Sequence, residues 1–221
     1  YELSKDGRWI LIPISGRLFL FDRGIGGSRE LPIGSGYAND ARLSPDATRV
    51  AFVREGDLHV LDVARGRVDR LTTTASEHIT NGLPEFIAQE ELDRFEGYWW
   101  SPDSRAILFQ ETNTRDVERL HLFDPIHPEA PGEAVPYPRP GRPNARVRLG
   151  LSVLGAHRTR WIDWDGEALP YLARVTWDLN APPTIVVVSR DQTDLEVLAV
   201  DANTGGTRTL VREHDRAWLN V

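Results

Sequence analysis

Through most of the chain, residues alternate between apolar and polar or run apolar over five to seven positions, with Gly, Pro, Asp, Asn and Ser between the runs. RLFLFD, RVAFVR, DLHVLDV and LEVLAV are examples. Successive side chains of a strand point to opposite faces, so these runs predict short β-strands. RVRLGLSVL, RTRWIDW and YLARVTW extend the pattern, GRVDRLTTT reads as an outer strand, and Asp165-Gly166 suits a tight hairpin turn.

The strands recur as a unit. LSKDGRWILIPISGRLFLFD starts at Leu3, LSPDATRVAFVREGDLHVLDV at Leu43 and WSPDSRAILFQETNTRDVERLHLFD at Trp100. Each copy has an aspartate-centred turn (Asp6, Asp46, Asp103), an apolar strand, a short connection and a second strand ending in Asp. A degenerate fourth copy, VTWDLNAPPTIVVVSRDQTDLEVLAVDANTG, puts Trp177-Asp178 in the turn position. Repeats of about 40–55 residues, each with about four strands, predict an all-β fold, a β-propeller of four-stranded blades, over a sandwich or solenoid. One such sheet cannot bury both faces alone; radial packing of blades buries them. Residues 1–221 then form part of a single propeller domain of about four to five blades, an incomplete ring. With no methionine in the chain, the native start is expected to lie elsewhere.

One stretch breaks the alternation. In NGLPEFIAQEELDRFEGYWWSP, from Asn81 to Pro102, Pro84 suits a first helical turn and Glu85 its positive end. Ala88, Leu92 and Phe95 fall at i, i+4 and i+7, predicting a short helical insert with one apolar face. Glu90 and Glu91 lie away from that face, about 100° apart on the helical wheel. Two such carboxylates can grip one cation, at about 1 kcal/mol per contact at 4 Å in water and about 4 at an effective dielectric near 20. For a Glu-Glu pair taken by itself, a solvated acidic helix is the simpler reading. The prolines of PYPRPGRPNARVRLGL, Pro136 to Leu151, enforce an extended or turning path before a strand at Arg146.

Composition narrows the function. A net charge of −7 disfavours a nucleic-acid surface, which needs clustered Lys and Arg. No apolar run is long enough to span a membrane. The absence of cysteine excludes disulfides, thiol catalysis and thiolate zinc sites. His59, His78, His121, His127, His157 and His214 show no metal-ligand spacing, and Asp163-Trp-Asp165-Gly166 lacks the remaining ligands of a calcium loop, so no metal or other cofactor is expected. Gly24, Gly26 and Gly27 complete no phosphate loop, and no serine sits in G-x-S-x-G. Trp99-Trp100 reads as blade core.

NGLPEFIAQEELDRFEGYWWSPDS, followed by VPYPRPGRPNARVRLGL and set among SPD-type turns, resembles the N-terminal propeller of dipeptidyl peptidase IV-type serine peptidases of the prolyl oligopeptidase family, over essentially the whole chain. The resemblance implies an enzyme that releases N-terminal dipeptides with Pro or Ala second. Its paired acids, Glu90 and Glu91 by position, would bind the free α-ammonium of the peptide substrate; Gln89 stands where a third acid is common. The chemistry would come from a Ser-Asp-His triad on the protein's own C-terminal α/β-hydrolase domain, outside this chain, so no catalytic residue is assigned and the fragment alone is expected to be inactive. The compact first repeat, IPISGRLFLFD, lacks the insertion that carries a substrate-contacting arginine in well-known members, and no arginine is carried over. The resemblance is to members of bacterial type and favours a periplasmic or secreted protein, while the exposed blade edges of an incomplete ring would promote self-association, for example as a homodimer. The competing readings are a non-enzymatic propeller of TolB or WD-repeat type, or the propeller of a tripeptidyl or acylaminoacyl peptidase.

Overall fold

The computed structural model describes every residue except 75 and 157; His157 thus lies outside the described residues. The first sheet comprises β1 (Glu2–Leu3), β2 (Trp9–Ile14), β3 (Arg17–Asp22) and β4 (Gly27–Glu30), each antiparallel to the next. The second repeats the meander with β5 (Asn39–Leu43), β6 (Arg49–Arg54), β7 (Asp57–Asp62) and β8 (Arg67–Arg70). In the third, β9 (Ile79–Asn81) and β10 (Tyr98–Trp100) both pair with β11 (Ala106–Asn113). The chain then makes a separate hairpin, β12 (Arg119–Leu122) with β13 (Glu133–Pro136), and returns as β14 (Arg146–Val153) and β15 (Thr159–Trp161). The fourth sheet is β16 (Tyr171–Thr176), β17 (Thr184–Val188), β18 (Asp194–Val200) and β19 (Thr207–His214). Among the described residues no helix is long and apolar enough to cross a membrane.

Period-two alternation has a direct outcome in the packing. In β6, Val50 and Phe52 face the first sheet and join Leu11, Leu18 and Leu20 in one core. Ala51 and Val53 face the other way and meet Tyr98, Ile107 and Phe109 of the third sheet. Leu108, Leu149 and Leu151 then pack against Leu172, Ile185 and Val187 of the fourth. Trp99 and Trp100 divide between these last two cores, as neighbours on a strand must. The second and third sheets thus bury both faces against the sheets before and after them, which is blade-on-blade packing. The outer strands β4 and β8 are short and wet.

Blade turns carry the repeat. Ser4, Ser44 and Ser101 each donate to an aspartate two residues on (Asp6, Asp46, Asp103) at 2.6 Å and accept a backbone N–H from the incoming strand. Trp177-Asp178 does join the first two strands of the fourth blade, but the serine–aspartate pairing reappears one hairpin later, where Ser189 donates to Asp191 at 2.6 Å. Asp165-Gly166 makes no hairpin. It lies between β15 and β16, which belong to different blades, and the Asp165 carboxylate and carbonyl accept from the N–H groups of Ala168 and Leu169. A local Asp-Gly pair favours a turn without saying which strand follows.

Candidate functional site

The acidic segment opens the innermost strand of the third blade at a single position. β9 and β10 form two halves of one strand on β11, and only Gln110 lies between their registers, which run Asn81 to Glu111 and Tyr98 to Phe109. Gln110 bonds both ends of the break: Gly82 N–H donates to its carbonyl, and its N–H donates to the Gly97 carbonyl, both at 2.8 Å. Everything from 83 to 96 is an excursion through this neck. The neck requires glycine. A Cβ on Gly97 would sit 2.4 Å from the Gly82 carbonyl oxygen, and Gly82 has φ +84.

Within the excursion, α1 (Phe86–Glu90) is one turn long. Glu85 is its N-cap, accepting from Ala88 N–H at 2.9 Å and Ile87 N–H at 2.5 Å, and Pro84 precedes the cap instead of entering the helix. Ala88 and Leu92 are buried as the spacing predicts, but Phe95 is 61% exposed, because the helix stops before the phase reaches it. Glu91 is the C-cap residue. Ile87 and Leu92 lie against Ala173 and Val188 on the far face of the fourth blade.

Glu90 and Glu91 are both exposed, and neither has an ion-pair partner among the described residues. The backbone N–H of Arg94 donates to the Ala88 carbonyl at 2.8 Å, closing 89–93 into a small loop with these carboxylates at its tip.

Arg94 carries the loop. It is only 5% exposed, and its guanidinium donates to the Leu172 carbonyl at 3.0 Å, the Gln110 side-chain oxygen at 2.6 Å and the Glu96 carbonyl at 2.5 Å. Burial pushes its pKa down to about 10, opposed by Glu85 and Glu96. Burial likewise raises Glu85, against its backbone hydrogen bonds and Arg94. Glu96 reaches the second blade: it accepts from Arg42 at 2.5 Å and from the Trp99 indole at 2.9 Å. The Tyr98 hydroxyl lies between the Ala51 carbonyl (2.9 Å) and the Asp40 carbonyl, which share its single hydrogen.

The family model for the dipeptidyl peptidase IV N-terminal region matches residues 4–221. The chain belongs to this family. Dipeptidyl peptidase 8 of Homo sapiens is 25% identical over 198 residues, covering 73% of this chain and 21% of its own length. The crystal structure of dipeptidyl peptidase 4 from Porphyromonas gingivalis superimposes with a TM-score of 0.81 at 19% identity, over 98% of this chain and 33% of that one. That likeness bears out the all-β, propeller-type architecture expected from the repeats. The chain therefore spans a fifth to a third of the proteins it resembles.

Sequence alone locates the Glu90–Glu91 pair in a short insert ahead of the Tyr98–Trp100 strand, but not the residues that hold the pair. Arg94 left a faint signal: residues 82–97 contain five carboxylates (Glu85, Glu90, Glu91, Asp93, Glu96) and one cation. Two glycines bracketing the segment were the other.

Proposed function

We propose that this chain is the substrate-gating propeller portion of a serine exopeptidase that releases N-terminal dipeptides, with Pro or Ala in second position. Glu90 and Glu91 bind the α-ammonium of the peptide, and a triad on the protein's α/β-hydrolase domain cleaves the chain two residues on. The observation that supports this most is the exposed Glu90–Glu91 pair at the tip of a clasped loop, in a family member whose relatives are named dipeptidyl peptidases. The loop is tied to two blades, so little conformational entropy remains to be lost when the cation arrives. A peptide with an acylated N-terminus forms no ion pair and leaves carboxylates desolvated without compensation.

In the full-length protein, Glu90→Ala and Glu91→Ala should each lower kcat/KM on free-amine dipeptidyl substrates by at least about tenfold, or about 1.4 kcal/mol. Steady-state kinetics on matched free and N-acetylated peptides measures this. Turnover equal to wild type in both variants would remove the clamp from the mechanism.

A further inference from the structure

We infer that Arg94 is a positioning residue for the reaction: it fixes the Glu90–Glu91 tip relative to the third and fourth blades, and so sets where the peptide amine is held. The inference rests on the ammonium-clamp reading of those acids.

Three observations carry it. First, Arg94 closes the tip from both its backbone and its side chain. Its N–H takes the Ala88 carbonyl, so the loop that presents the carboxylates ends at the residue whose guanidinium is anchored below. Second, the anchors lie far away in sequence and on different blades. Gln110 is in the central strand of the third blade beside the neck, and Leu172 is on the first strand of the fourth, 78 residues from Arg94 and beside the bulge in β16. A planar guanidinium can satisfy divergent acceptors simultaneously; an ammonium group is a compact point charge without that fixed fork. Third, Arg94 is the one cation in an excursion that carries five acids, of which Glu85 and Glu96 act on its guanidinium. Burying a charge is tolerated only when its hydrogen bonds are made, and here the backbone and Gln110 make them. The acids at the tip are therefore free to meet a ligand, because the anchoring does not draw on their carboxylates.

The consequence is a division of labour. Glu90 and Glu91 touch the ligand; Arg94, which is buried, does not, yet it determines whether they stand where the scissile bond falls two residues away. Loss of Arg94 should loosen the clamp without altering the hydrolytic machinery on the other domain.

The test uses the full-length protein with Arg94→Ala, Arg94→Lys, Glu90→Ala and Glu91→Ala, assayed side by side on a free-amine dipeptidyl substrate. Arg94→Ala should raise KM by about tenfold with kcat within about twofold of wild type. Low-millimolar guanidinium should return KM toward wild type by filling the vacated site, an effect that general destabilisation does not produce. Arg94→Lys, which keeps the charge but not the fork, should show an intermediate KM and serves as the readout should the alanine variant fail to fold. If the glutamate variants raise KM while both Arg94 variants match wild type, or lower kcat alone without response to guanidinium, the positioning role is wrong and the clamp stands. If both glutamate variants keep the wild-type kcat/KM, the clamp reading itself falls.

Discussion

Gly97 shows how much of the site depends on a side chain that is missing. The chain leaves β9 and re-enters β10 across one residue of the partner strand, so its two limbs cross at the neck with atoms nearly in contact. Alanine at Gly97 would place its Cβ 2.4 Å from both the Gly82 carbonyl oxygen and the Leu83 Cα, backbone atoms that cannot swing aside. Gly26 offers a contrast. Its φ is +71, yet nothing lies within 4 Å of the Cβ position, so alanine there meets only backbone strain. We expect Gly97→Ala to destabilise by about 2–4 kcal/mol and Gly26→Ala by about 1. Urea unfolding of both variants decides between them; equal losses would mean that the neck relaxes. Because the neck is the base of the acidic loop, Gly97→Ala should also disturb the Glu90–Glu91 tip.

The serine–aspartate turn is the element that the chain reuses. Ser101 is 2% exposed; it donates to Asp103 and accepts the N–H groups of Arg105 and Ala106, so replacing it leaves the buried Ala106 N–H without that partner, while the Arg105 N–H keeps the Asp103 carboxylate. Ser101→Ala should cost about 1–3 kcal/mol near neutral pH. The hydroxyl of the partner serine is the main reason that Asp6, Asp103 and Asp191 have lowered pKa values. A carboxylate depressed in the folded state stabilises above the unfolded aspartate pKa of about 3.9, and that stability is lost as pH falls through the folded value. The gap between wild type and Ser101→Ala should therefore narrow below about pH 4, as chemical unfolding across a pH series would reveal. A gap that held constant to about pH 2 would separate the serine from its aspartate. The first three turns are legible in sequence because the serine, its aspartate and the strand N–H that it accepts lie within five residues; the Ser189–Asp191 turn is not, since the fourth copy places its turn at Trp177-Asp178. Asp165-Gly166 was misread because the same dipeptide serves hairpins and blade crossovers. Phe95 was placed on a buried face because helical spacing extrapolates past a helix that ends at Glu90. The lone cation among five carboxylates hints at Arg94 without showing what it holds: its side-chain partners lie two, 16 and 78 residues away, and only the folded blades bring the last two to it.

At the scale of the molecule, stability should follow the stack of blades. Leu18 and Phe52 belong to the core between the first two blades, and Leu149 to the core between the third and fourth. The core around Tyr98 and Phe109 lies between these two. Truncating a fully buried leucine to alanine costs about 2–5 kcal/mol, part of it for the cavity left behind. When two truncations share a core, the second side chain has already lost packing to the first cavity, so their costs do not add. When a whole blade intervenes, each cavity relaxes among its own neighbours. Leu18→Ala combined with Leu149→Ala should thus be additive to within about 0.5 kcal/mol, whereas Leu18→Ala with Phe52→Ala should deviate by about 0.5–3. Denaturant unfolding of the three single and two double variants supplies every term. In a repeat architecture the same data report whether the blades unfold together, since separate transitions would show that an interface between blades is weaker than the blades it joins. Coupling between Leu18 and Leu149 as strong as that between Leu18 and Phe52 would contradict nearest-neighbour packing and point to one core shared through the whole domain.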